Sequence, residues 1–163
     1  MKERLVRYFT EYEEAHRHPV CRLTHIIAIP QIFLMTYTML DWIDLWTIPG
    51  AGGLELSFGH LWYLAMLAWY TTLTPKYAAI MTLVGIGVFA LSPHIPWPVV
   101  VAVYCVAWVI QVSGHLVWEK NKPAFFSDYA QMYIGPVFFL AKLFRDWPLA
   151  ETPGKDSPAG DEE

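Results

Sequence analysis

The stretch "HRHPVCRLTH" (residues 16–25) decides how this chain is read. It carries three of the six histidines, two arginines and a proline. It sits where a charged N-terminal segment gives way to an apolar run from Thr24 to about Trp46. Beside a soluble core helix, such a stretch is a surface turn. Beside a membrane span, it is the bilayer edge, where arginines face headgroups and imidazoles can face the interior of a bundle.

Composition favours the membrane. The 163 residues, enough for one domain, are 55% hydrophobic and 16% charged, against roughly 25% charged in ordinary soluble domains. Eight Trp, nine Tyr and nine Phe suit a chain whose amphipathic aromatics gather at bilayer interfaces. No basic stripe interleaves with aromatics, so nucleic acid is not an expected partner. Cys21 and Cys105 are far apart and outside any metal-type or disulfide-type spacing.

Working outward, "MKERLVRYFTEYEEAHR" is too charged for a signal peptide. Its Leu5, Tyr8, Phe9 and Tyr12 recur at helical spacing and predict an amphipathic helix. Downstream, apolar segments at about Thr24–Trp46, Phe58–Leu73, Tyr77–Leu91 and Trp97–Trp118 are punctuated by "TIPGAGG", Pro75 and "SPHIPWP". The first and last reach the roughly 20 residues a span needs; the middle two are short. If all four cross, every one of the 11 Lys and Arg residues falls on the N-terminal side and none in the opposite loops. The positive-inside rule then makes that side cytoplasmic. The expected fold is therefore all-α: about four transmembrane helices, an N-terminal amphipathic helix and C-terminal interfacial helices. These form one membrane-embedded domain over residues 1–147. The tail, 148–163, ends in "ETPGKDSPAGDEE", with five acids and one Lys, and is expected to be disordered.

This topology sorts the polar residues. His16, His18, His25 and His115 fall on the basic side, and His60 and His94 on the other. Gln111, His115 and Glu119 form an i, i+4, i+8 stripe on the last span. Ionisable groups within a span are costly and usually face a bundle interior or cavity. Pro19 disfavours helix at His18, so the chain is expected to turn there and bring His16 and His25 into one elbow. Imidazoles with a carboxylate suit iron, zinc, copper or nickel, and open sites of this kind serve non-haem Fe(II) oxygenases. Interfacial, hydrogen-bonded histidines explain the spacing equally well at this stage.

The segments "YEEAHRHPVCRLTHIIAIP", "WVIQVSGHLVWEKNKPA" and "GPVFFLAKLF" resemble the Mpo-type family of membrane 2-hydroxy fatty acid dioxygenases. The resemblance covers roughly residues 8 to 145 and rests on His16, Pro19, His25, Pro30, Trp108, Gln111, Gly114, His115, Glu119, Pro123 and Ala124. Cys21 stands where the family usually has Asn. The resemblance implies an Fe(II)- and O2-dependent enzyme that shortens 2-hydroxy fatty acids by one carbon, as in sphingolipid breakdown. Its location would be the endoplasmic reticulum in a eukaryote or the inner membrane in a bacterium. It further implies His16, His25 and His115 as metal ligands and Glu119 as a ligand or orienting partner. His18 is a further candidate ligand. Gln111 would bind the substrate's acid or hydroxyl, and Arg17, Arg22 and Lys122 its carboxylate. Two other classes compete: a haem protein with His25 and His115 as axial ligands, and a non-enzymatic lipid-binding protein. A di-iron hydroxylase would need more histidines than the six present.

Overall fold

In the computed structural model, residues 3–47, 49, 55–120 and 128–147 are described. Lys122 and the acidic tail from 148 onward lie outside them. The elements are α1 (Glu3–Glu14), α2 (Pro19–Asp41), β1 (Asp44–Thr47), β2 (Glu55–Ser57), α3 (Phe58–Leu73), α4 (Pro75–Leu91), α5 (Trp97–Ser113) and α6 (Ala130–Leu143). A 3₁₀ turn, Ser92–His94, extends α4, and a π-helical turn, Gly114–Glu119, extends α5.

The fold is the expected all-α bundle, with one small addition: β1 and β2 pair antiparallel between α2 and α3. The boundaries of the first span also shift. Pro19 occupies the first helical turn, where its missing N–H costs nothing. The His18 side chain caps the new helix by accepting from the Val20 amide at 3.2 Å. The helix therefore begins five residues before Thr24 and ends at Asp41 rather than Trp46.

Among the described residues, three helices are long and apolar enough to cross a membrane: Pro19–Asp41, Pro75–His94 and Trp97–Glu119. The 16 residues of α3 reach only roughly 24 Å at 1.5 Å per residue, short of the ~30 Å hydrocarbon thickness. Leu64, Leu83, Ile86 and Val109 are all exposed, the pattern of a bundle whose outer wall is solvated by lipid.

The two ends of the bundle are built differently. At one end, Asp41 accepts from the Ser57 hydroxyl (2.6 Å) and the Ser92 hydroxyl (2.8 Å), tying the end of α2 to the start of α3 and the end of α4. Ser57 also caps α3 in a reciprocal box with His60, whose ring stacks on Phe89. His60 thus serves this joint, and His94 is exposed beside it.

At the other end, α1 lies against α6. Leu5, Phe9 and Ile134 are fully buried there, with Phe138 close to it. Around this apolar seam, Lys142 Nζ binds Glu13 at 2.5 Å, the Trp147 indole donates to Glu13 at 2.7 Å, and Lys76 Nζ binds Asp146 at 2.5 Å. Burial opposes ionisation of Glu13, but the Lys142 and Trp147 hydrogen bonds outweigh it and hold the carboxyl below its usual range. The α1–α6 pair closes this end of the bundle over the start of α2.

Candidate metal centre

The turn between α1 and α2 folds residues 16–18 back under α1. Two polar contacts hold it. The Arg22 Nε donates to the His16 carbonyl at 2.7 Å, and the His18 amide donates to Glu119 Oε1 at 2.5 Å. The second contact fastens the turn to the π-helical end of the fifth helix, 101 residues away. Along the same contact, Gly114 lets the π turn approach α2 closely. A Cβ on Gly114 would lie 2.2 Å from Thr24 Oγ1.

The result is a cluster of three imidazoles. His16, His25 and His115 are 5%, 0% and 1% exposed, and one ligand nitrogen from each lies within 4.8 Å of the others. The Nε2 atoms of His25 and His115 are 2.9 Å apart.

Backbone carbonyls set the tautomers. His16 Nδ1 sits 2.5 Å from the Tyr12 carbonyl, and His25 Nδ1 sits 2.7 Å from the Cys21 carbonyl. A carbonyl can only accept, so both Nδ1 atoms carry the proton and both Nε2 atoms present lone pairs. Burial pushes His16 down to about 4, only partly offset by its bond to the Tyr12 carbonyl. The ring is therefore neutral at physiological pH, the form that binds metals. His115 Nδ1 is buried with no hydrogen-bond partner among the described residues.

These features fit a metal. Ligand nitrogens gathered within reach of one another, with two of the three rings oriented by backbone carbonyls, match how protein metal ligands are held. Without a cation, the His25 lone pair is left to the facing His115 nitrogen alone. All-nitrogen imidazole donors suit iron, zinc, copper and nickel.

Burial of neutral His16 also sets a pH dependence. The unfolded imidazole titrates near 6.5 and the folded one near 4. Between those values the unfolded chain binds a proton that the folded chain does not, so stability falls as pH falls through that window. Melting of metal-free protein is expected to occur at lower temperature at about pH 5 than at about pH 7. His16→Phe should weaken that dependence.

The other residues singled out in the sequence take different places. Gln111 is buried and lines the cavity beside the triad, and its Oε1 has no hydrogen-bond partner among the described residues. Glu119, expected on one stripe with Gln111 and His115, instead reaches the His18 amide and the Cys21 thiol. The π turn replaces regular α spacing there, and the helix stops at Lys120 in the left-handed region (φ 53°). His18 serves as the α2 cap and stands outside the cluster. Arg17 is exposed, and Arg22 is spent on the His16 carbonyl.

The triad lines a partly open cavity of about 80 Å³, whose apolar walls include Ile29, Phe33 and Trp62. Ile29, Phe33 and Pro136 also wall a larger groove of about 820 Å³ between α2, α4 and α6. Among the polar residues lining the cavity that were not read as site residues in the sequence are Tyr12 and Gln131. Tyr12 stacks on His16 (centroids 4.0 Å apart), and burial holds its phenol well above the usual tyrosine range. The signals were present. Tyr12 is one helical turn before His16, and Gln131 is a lone amide in an apolar helix.

A helical bundle with membrane-length apolar helices and a buried three-histidine centre at one end defines the class. The chain belongs to the Mpo1-like family, whose model, described as 2-hydroxy-palmitic acid dioxygenase Mpo1-like, matches residues 2–147. No curated protein and no solved structure matches the chain.

Proposed function

We propose that this protein is an Fe(II)-dependent dioxygenase that shortens 2-hydroxy fatty acids by one carbon within the membrane. The observation that carries the reading is the buried triad of His16, His25 and His115 lining a mostly apolar cavity. The family description supplies the substrate class.

Iron held by the three Nε2 atoms would supply O2 activation for oxidative cleavage of the C1–C2 bond. The chain's own residues do the rest. The Tyr12 and Cys21 carbonyls fix two of the rings, so the lone pairs need no reorganisation. Glu119 positions the elbow that carries His16 through its bond to His18. Gln111 offers a hydrogen bond to the acid or hydroxyl. The alkyl chain lies along the walls of Ile29, Phe33 and Pro136 in the groove between α2, α4 and α6, where each buried CH2 contributes about 0.8 kcal/mol. With all four apolar segments crossing, the 11 basic residues share the side of the centre, which supports a site toward the cytoplasmic face, of the endoplasmic reticulum in a eukaryote or the inner membrane in a bacterium.

A bis-histidine haem fits less well. The 2.9 Å between His25 Nε2 and His115 Nε2 is a hydrogen-bond distance and leaves no room for a macrocycle between the two rings.

Anaerobic Fe(II) reconstitution, with subsequent exposure to O2 and 2-hydroxypalmitate, tests the proposal. O2 uptake coupled to appearance of the 15-carbon acid is expected. Protein with stoichiometric iron that consumes no O2 with this substrate would overturn it.

A further inference from the structure

Two polar atoms in the cavity, the Tyr12 hydroxyl and Gln131 Oε1, take no part in holding the three histidines and are costly where they stand. Tyr12 and Gln131 are 3% and 5% exposed. The Tyr12 hydroxyl and Gln131 Oε1 both have no hydrogen-bond partner among the described residues. Both residues line the same cavity as His16, His25 and His115. Buried polar atoms are normally satisfied, and leaving them otherwise is destabilising. A ligand with matching polar groups is the direct way to satisfy them.

Their chemistry defines that ligand. Gln131 Nε2 donates to Glu11 Oε2 at 3.1 Å. An ionised carboxylate only accepts, so the NH2 half of the amide must face Glu11. That fixes Oε1, a pure acceptor, on the remaining side. Tyr12 offers an O–H donor, and Gly135 keeps the space beside it open, because a Cβ there would sit 3.1 Å from the hydroxyl oxygen. The cavity thus presents one fixed acceptor and one donor near the metal centre.

We infer that Tyr12 and Gln131 form the headgroup-recognition pair for the 2-hydroxy acid: Gln131 Oε1 accepts the proton of the 2-hydroxyl, and the Tyr12 hydroxyl donates to the carboxylate. The inference rests on the proposed substrate class and adds the residues that tell a 2-hydroxy acid from an unsubstituted one. A plain fatty acid leaves Gln131 Oε1 unpaired. Sites built to hydrogen-bond a substrate hydroxyl discriminate strongly against analogues lacking it. The hydroxyl oxygen keeps lone pairs for a cation while its proton goes to Gln131, so the two roles are compatible.

The test is equilibrium binding of 2-hydroxypalmitate and palmitate to full-length detergent-solubilised protein under argon, with melting temperature and metal content measured in parallel. Wild type is expected to prefer 2-hydroxypalmitate by roughly 100-fold or more. Gln131→Met, close in shape but without the amide, should weaken 2-hydroxypalmitate by roughly tenfold and leave palmitate within about twofold. Tyr12→Phe should weaken both acids by roughly tenfold, since both carry the carboxylate. Gly135→Ala, which crowds the Tyr12 hydroxyl, should do the same and serves if Tyr12→Phe does not fold. Equal binding of both acids by wild type, or a wild-type preference retained in folded Gln131→Met, overturns the pair. The outcomes separate from those of the catalytic proposal. Correct binding ratios without O2 uptake leave the recognition pair standing and sink the reaction. Turnover with an unchanged Gln131→Met ratio does the reverse.

Discussion

His115→Ala is expected to leave a folded protein that no longer retains metal. The side chain is 1% exposed and its Nε2 is 2.9 Å from His25 Nε2. Truncation therefore removes one of three donors from the heart of the cluster. Loss of an outer partner to a metal ligand typically costs 10–100-fold in affinity, so loss of a ligand itself should cost at least about 100-fold. The fold should tolerate the change. Helix α5 is fastened along its length against α2, and the elbow remains held through Glu119 and Arg22. The substitution also removes a buried nitrogen that has no partner among the described residues. Iron per protein after anaerobic reconstitution should fall to background, together with turnover, while metal-free protein melts close to wild type. Full iron stoichiometry in His115→Ala would show that the centre lies elsewhere.

Phe9→Ala is expected to have the largest effect on stability. Phe9 is fully buried, and its ring meets Phe138 and Trp147 edge-on, each at 5.4 Å. Phe-to-Ala changes in packed cores cost about 3–5 kcal/mol. This ring joins α1 to α6 and to the segment after it, so the loss falls on the contact that closes the bundle. The damage should extend to the metal. His16 comes directly after α1, and its Nδ1 leans on a carbonyl of that helix, so metal affinity should fall along with melting temperature. Phe9→Leu, which keeps most of the volume, should recover both in large part. A change at Val109, 70% exposed on the outer wall, should move neither. If Phe9→Ala melts within about 2 °C of wild type, the α1–α6 seam contributes little, since a loss of about 3 kcal/mol in a chain of this size shifts Tm by at least about 6 °C.

Much of this arrangement was legible in the chain. The apolar face of α1 was visible as Leu5, Phe9 and Tyr12. The convergence of His16, His25 and His115 came from sorting the histidines by side and from the break that Pro19 imposes. What escaped depends on contacts between distant segments. The pairing of Asp44–Thr47 with Glu55–Ser57 lies in a stretch whose Pro and Gly residues signal only a turn. Glu119 looked like the third member of the stripe because regular α spacing was assumed. Its engagement with the His18 amide is set by the π turn and the fold-back of the elbow. Tyr12 read as one more apolar-face residue, since nothing local separates a tyrosine that only packs from one whose hydroxyl faces a cavity. Gln131 needed Glu11, 120 positions earlier, before its orientation had meaning.

The π turn at Gly114–Glu119 bears on how such chains are lined up with one another. Its i→i+5 bonding holds one residue more than an α-helix would in the same rise. Deleting one residue of the turn would restore α-helical bonding while leaving the residues that follow on the faces they now occupy. A relative lacking that residue would therefore need a gap inside an apparently continuous helix. An ungapped comparison would match residues on either side of the turn that face different walls of the bundle. The extra residue works as a punctuation mark in the helix, set within the turn that carries His115.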